Sequence, residues 1–151
     1  MRIVQFLKLL DMTSKPRYCI GLDPGINVGF AVFDRDIKAL ITVSSHPLFN
    51  VFQLLDDLKY SHIEVFIENP NTWIKFSSTE DSNARKQGAG AVKQTYKHLV
   101  EFLEDRNIKF TPIKLQGTMK KVDSTKFKLY TKWAKMTNQH SRDASLMVYN
   151  R

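Results

Sequence analysis

Residues 18–22, 28–34 and 37–43 are three apolar runs in quick succession, separated only by short polar joints. The first run ends in Asp23-Pro24-Gly25. Proline fixes one backbone dihedral there and glycine frees another, so the chain leaves its strand in a tight turn. The second and third runs are joined by Asp34-Arg35-Asp36. Parallel neighbours need a crossover of roughly a dozen residues or more, which neither joint supplies. The runs therefore form a three-stranded antiparallel meander.

Helical and extended periods alternate after the meander. Residues 47–59 carry Leu48, Val51, Phe52, Leu55 and Leu58 at helical spacing, and a fourth strand over 62–67 closes on Glu68-Asn69-Pro70. A long helix follows over about 79–106, expected to break or loosen at Gly88-Ala89-Gly90, with an apolar stripe of Val92, Tyr96, Leu99, Val100 and Leu103 in its second half. Residues 108–113 read as a fifth strand, 114–123 as a loop, and 124–136 and 141–149 as helices. The order βββαβαβαα implies an α/β layer fold with a five-stranded mixed sheet and helices against it. The chain has 151 residues, one domain's worth, and no linker divides it. A single domain over 17–151 is expected, preceded by an N-terminal extension over 1–16. The extension has apolar residues broken by Gln5 and Lys8 and no small-residue cleavage site, which speaks against a secretory signal. One cysteine, Cys19, cannot make an internal disulfide and suits a reducing, cytoplasmic setting. No apolar stretch reaches the roughly 18 residues of a membrane span.

Charge narrows the class of partner. The net charge is +8, and the excess is confined to the second half, since residues 1–75 hold 8 basic and 8 acidic side chains. Within that half, residues 106–142 carry ten basic side chains against Asp123 alone. Such a tract favours a polyanion, nucleic acid before anionic membrane, although a Lys-rich solvated face has the same composition. A phosphate-gripping tract predicts salt-sensitive binding, with a log–log slope of about −0.9 per phosphate neutralised.

Against this basic background stand a few acids at strand ends. Asp23 closes the first strand and Glu68 the fourth, and ligand crevices of α/β sheets lie outside the carboxyl ends of the strands. If those strands are parallel neighbours, the two carboxylates face one another and repel unless a proton or a divalent cation lies between them. Asp before Pro-Gly is also ordinary turn chemistry, and Glu before Asn-Pro can simply end a strand. A third element is His140-Ser141-Arg142-Asp143-Ala144, whose His and Asp are three apart and share a helix face. Asp143 would lie at the positive end of that helix, which favours its ionised form. A cap cluster with a surface histidine would leave the same letters.

Taken in order, Ile20-Gly21-Leu22-Asp23-Pro24-Gly25, Val28-Gly29-Phe30-Ala31-Val32, Val65-Phe66-Ile67-Glu68 and His140-x-x-Asp143-Ala144 resemble the four acidic-site motifs of RuvC-type Holliday junction resolvases, nucleases of the RNase H-like superfamily. The resemblance runs over about residues 17–149, and the short form with His140 suits a viral or phage member. It implies an RNase H-like fold and a structure-selective endonuclease that nicks four-way DNA junctions symmetrically as a homodimer, without a membrane. Other branched DNA or RNA is the alternative substrate, and a non-catalytic nucleic-acid-binding module the less favoured one. By the same resemblance Asp23, Glu68, His140 and Asp143 match the metal ligands, for two Mg²⁺ per site with Mn²⁺ accepted. Lys114 and Lys126 match basic residues beside the attacked phosphate, with Lys121 competing for the second place. Gln87, Lys120, Lys121 and Lys128 are further expected nucleic-acid contacts. Family members often place a wedge aromatic three residues after the glutamate, but Asn71 stands there, so Trp73 or Phe76 is expected to take the stacking role.

Overall fold

The computed structural model describes residues 15–72, 83–115 and 121–151. Its centre is a five-stranded sheet in the order β3-β2-β1-β4-β5, formed by β1 (Tyr18–Asp23), β2 (Asn27–Asp34), β3 (Ala39–Pro47), β4 (Ile63–Glu68) and β5 (Phe110–Ile113). The meander is present as read, with β1 antiparallel to β2 and β2 to β3. Strand β4 lies parallel to β1, and β5 parallel to β4. Four α-helices, α1 (Leu48–Leu58), α2 (Asn83–Asp105), α3 (Ser124–Thr131) and α4 (Gln139–Val148), and one 3-10 turn (Pro70–Thr72) complete the described fold. The central strands are buried on both faces, which explains their continuous apolar sequences.

Alternation along the strands sorts the core into two layers. Ile20, Leu22, Val28, Phe30, Val65 and Ile67 point to one face, under Val51 and Leu55 of α1 and Leu99 and Leu103 of α2. Cys19, Ala31, Phe33 and Phe66 point to the other, under Ala144, Met147 and Val148 of α4 and Phe127 of α3. Asp23 and Glu68 continue the second alternation, four residues beyond Cys19 and two beyond Phe66. Both therefore project on the α4 side.

Helix α2 runs without a break from Asn83 to Asp105. The expected loosening at Gly88-Ala89-Gly90 does not occur. Each glycine costs a helix only about 1 kcal/mol relative to alanine, and the turns fixed by buried Leu99 and Leu103 propagate through the glycines. Helix α3 ends at Thr131, not at Met136, because Lys132 turns left-handed (φ 61°) and its N–H closes on the Lys128 carbonyl. Helix α4 begins two residues earlier than its apolar pattern suggests. Asn138 accepts from the Ser141 N–H and Ser141 Oγ accepts from the Asn138 N–H, forming a capping box. The basic tract is not one surface either. Arg106 pairs with Asp56 at 2.9 Å, tying α2 to α1, and Arg142 donates to Val122 O, Thr137 O and Gln139 Oε1. Both arginines serve the framework.

Candidate active site

Strand register places the first two acids. Leu22 pairs with Ile67 in the β1–β4 ladder, so Asp23 and Glu68 follow as neighbours at the carboxyl ends of parallel strands. Both are buried, at 5% and 7% exposure. Asp143, 9% exposed, comes down from α4 onto the same end. The approach of α4 is set by two glycines. A Cβ built on Gly21 would lie 2.0 Å from the Ala144 carbonyl oxygen, and one on Gly29 2.0 Å from that of His140. Only hydrogen at those positions lets the helix backbone rest on the sheet. Ser45 Oγ of β3 also accepts from Asn138 Nδ2 at 2.6 Å, anchoring the helix cap to the sheet edge.

His140 Nδ1–H donates to Asp23 Oδ2 at 2.6 Å. That hydrogen bond raises the His140 pKa against the opposing effect of burial, and the charges of Asp23, Asp143 and Glu68 add to the rise. One imidazole therefore feels all three acids, which form one electrostatic centre. Asp143 departs from its sequence expectation. It sits in the second turn of α4, because the helix starts at Gln139, and burial pushes its carboxyl up, out of the range that a helix N-terminus would favour. Gln139 Nε2 donates to Asp143 Oδ1 at 2.7 Å and opposes that rise, as does the backbone N–H of Lys121. Gln139 is held in turn by Arg142 Nη2 at 3.1 Å. Sequence reasoning passed over Gln139, Asn138 and Ser45. Of these only the Asn138-x-x-Ser141 cap had a readable signature.

The basic candidates are placed less tightly. Lys114 is exposed and follows Ile113, the partner of Glu68 in the β4–β5 ladder, so it stands at the carboxyl edge of the sheet. Lys126, two-thirds exposed, lies in the first turn of α3, with Nζ 4.0 Å from Asp123. Lys121 adopts φ 56° and reaches Asp143 through its backbone while its side chain is exposed. Lys128 and Gln87 are exposed on α3 and α2. Trp73, Phe76 and Lys120, like residues 1–14 of the extension, fall outside the described residues.

Three buried carboxylates with hard oxygen donors suit a divalent cation such as Mg²⁺. Among the described residues no Lys or Arg pairs with Asp23 or Asp143, so their charge is not already balanced by a fixed side-chain cation of that kind. In the present conformation His140 occupies Asp23 Oδ2, and among the described residues no three His, Cys, Asp or Glu side chains are gathered to hold an ion as they stand. The donor set fits a metal in kind.

No protein-family model and no curated protein matches the sequence. Among solved structures, the chain superposes on T. thermophilus RuvC in complex with a Holliday junction substrate. The TM-score is 0.62 at 12% sequence identity, covering 87% of this chain and 90% of that one. The fold is RuvC-like, an RNase H-like five-stranded mixed sheet flanked by helices.

Proposed function

We propose that this chain is a metal-dependent endonuclease that resolves four-way DNA junctions, working as a homodimer that nicks two symmetric strands. The observation that carries the reading is the convergence of Asp23, Glu68 and Asp143, all buried, at one end of a RuvC-like sheet. A protein that only bound nucleic acid would gain nothing from a buried acidic centre that repels phosphate. The neighbour's own structure contains a Holliday junction, and a junction's two-fold symmetry matches a pair of identical subunits.

Asp23, Glu68 and Asp143 would hold the metal, with His140 beside Asp23. Bound there, Mg²⁺ ions would supply an activated water and stabilise the leaving oxyanion. The chain's own groups prepare the place. Gln139 and the Lys121 N–H fix the Asp143 carboxylate, and His140 orients Asp23. Lys114 at the sheet edge and Lys126 on α3 would offset charge on the attacked phosphate.

The test is incubation of a labelled four-way junction, matched duplex and single strand, and branched RNA, with EDTA, Mg²⁺ or Mn²⁺. Paired symmetric nicks in the junction, dependent on metal, are expected. Equal cutting of all substrates would move the assignment to a general RNase H-like nuclease, and absence of cutting with every metal would remove the enzymatic reading.

A further inference from the structure

A concave feature lies on the α4 side of the sheet, at the end away from the carboxylates. It is a cleft of about 720 Å³ whose lining includes Lys15, Arg35, Glu64, Phe66, Lys109 and Arg151. Glu64 is four residues before Glu68 on β4, so the cleft and the acidic centre are separated by about 13 Å of strand.

Four basic side chains and one acidic one line the cleft. Glu64 accepts from Arg35 Nη2 at 3.1 Å and lies 3.6 Å from Lys109 Nζ. Arg35 is part of the framework, since its Nε donates to the Arg151 carbonyl at 3.0 Å and its Nη1 to the Pro16 carbonyl. Arg151 is different. Its guanidinium carbon lies 4.4 Å from the centroid of the Phe66 ring, and its Nε donates to Met147 O at 2.7 Å, leaving the fork of the guanidinium for another acceptor. Among the described residues no carboxylate pairs with Arg151 or Lys15. Of the charged side chains that line the cleft four are basic and one is acidic, and Arg35 is taken up by Glu64 and the Arg151 backbone oxygen, so the excess carried by Lys15, Lys109 and the Arg151 side chain is focused by a concave wall. An arginine already held over a ring and by its Nε loses less freedom on binding, and its planar fork matches the oxygens of a phosphate. The volume lies in the range of about 300–1,000 Å³ typical of small-molecule sites, large enough for more than a bare ion.

We propose that this cleft binds a phosphate group, carried either by a free nucleotide-sized phosphate ester or by a nucleic-acid backbone. Lys109 and Arg151 would be its principal ligands with Lys15 at the rim, and Arg35 and Glu64 hold the walls.

Calorimetric titration of the full chain with pyrophosphate and with thymidine monophosphate, in EDTA and at ionic strength fixed with chloride, tests the site. Saturable binding is expected, weakened about tenfold for each of Lys109→Ala and Arg151→Ala. Both side chains are exposed, and an unchanged melting curve verifies that the variants fold; Lys109→Gln serves as a milder second variant. Displacement of pyrophosphate by plain duplex would assign the phosphate to a nucleic-acid backbone, and binding undisturbed by duplex would assign it to a free ester. Absence of saturable binding, or equal affinity in wild type and variants, would overturn the proposal.

Discussion

Replacing Gly29 by alanine should disable the site from beneath. The new Cβ would lie 2.0 Å from the His140 carbonyl oxygen and 2.5 Å from its carbon, whereas real Cβ contacts are not closer than 3.0 Å. Helix α4 must therefore retreat by about 1 Å at its N-terminal turn. The obstructing atom is backbone in a capped helix, so no rotamer change relieves it. Gly29 lies in β2 outside the left-handed region, so alanine is allowed there and the effect is steric. Overpacking of this kind costs roughly 1–3 kcal/mol, offset by about 0.4–1 kcal/mol from the stiffer unfolded chain. At the middle of these ranges the net loss is about 1.3 kcal/mol, which should lower Tm by roughly 4 °C at about 2–4 °C per kcal/mol for a chain of this size. Retreat of α4 also carries His140 and Asp143 off Asp23, and a misplacement of about 1 Å can cost about 10²-fold in rate. Junction cleavage under single-turnover conditions, read beside thermal unfolding, measures both effects. Gly90→Ala is the control, because nothing among the described residues lies within 4 Å of its Cβ; it should stabilise α2 and leave cleavage unchanged. Wild-type cleavage and Tm in Gly29→Ala would refute the argument that these glycines set the height of the helix.

Other consequences follow from the side chains. Asp143→Asn should raise Tm near neutral pH while abolishing cleavage: burial raises the Asp143 pKa, so the free energy that the unfolded chain gains by ionising this carboxyl is partly forfeited on folding, and the amide removes that penalty. A lower Tm would contradict that electrostatic assignment. Asp34 is the opposite case. Its hydrogen bonds from Arg17 hold its carboxyl below the usual range, so its contribution is present above the unfolded carboxylate pKa and lost as pH falls through the folded one. Melting curves from pH 7 down to pH 3 should therefore show a shallower acid decline in Asp34→Asn, starting from a lower Tm at pH 7. Gln139→Ala should reduce cleavage about 10–100-fold with junction affinity retained, because it removes the amide that aims Asp143. A rate within twofold of wild type would show that Asp143 needs no such support.

Much of this fold was legible because its signals were local. Short joints after Leu22 and Asp34 dictated the meander, and Glu68 at the end of an apolar run dictated a carboxylate at a strand end. What escaped depended on tertiary contact. The unbroken α2 could not be read from Gly88 and Gly90, because Leu99 and Leu103 stabilise it from farther along the helix. Charge counting also placed Arg106 and Arg142 on a surface tract, whereas Asp56 and the carbonyls of Val122 and Thr137 consume their donors. The acids at the site were readable by type and order. The support from Gln139 was not, since a glutamine before a histidine carries no pattern until α4 is docked on Gly21 and Gly29.

If Asp23, Glu68 and Asp143 form a centre that cuts junction DNA with a divalent metal, loss of one of these carboxylates should separate binding from cutting. The most direct test is a paired measurement on wild type and Asp23→Asn, recording binding to a labelled four-way junction and its cleavage in Mg²⁺. Retained junction binding with cleavage lost in the variant is the predicted result, and undiminished turnover by Asp23→Asn would contradict the account.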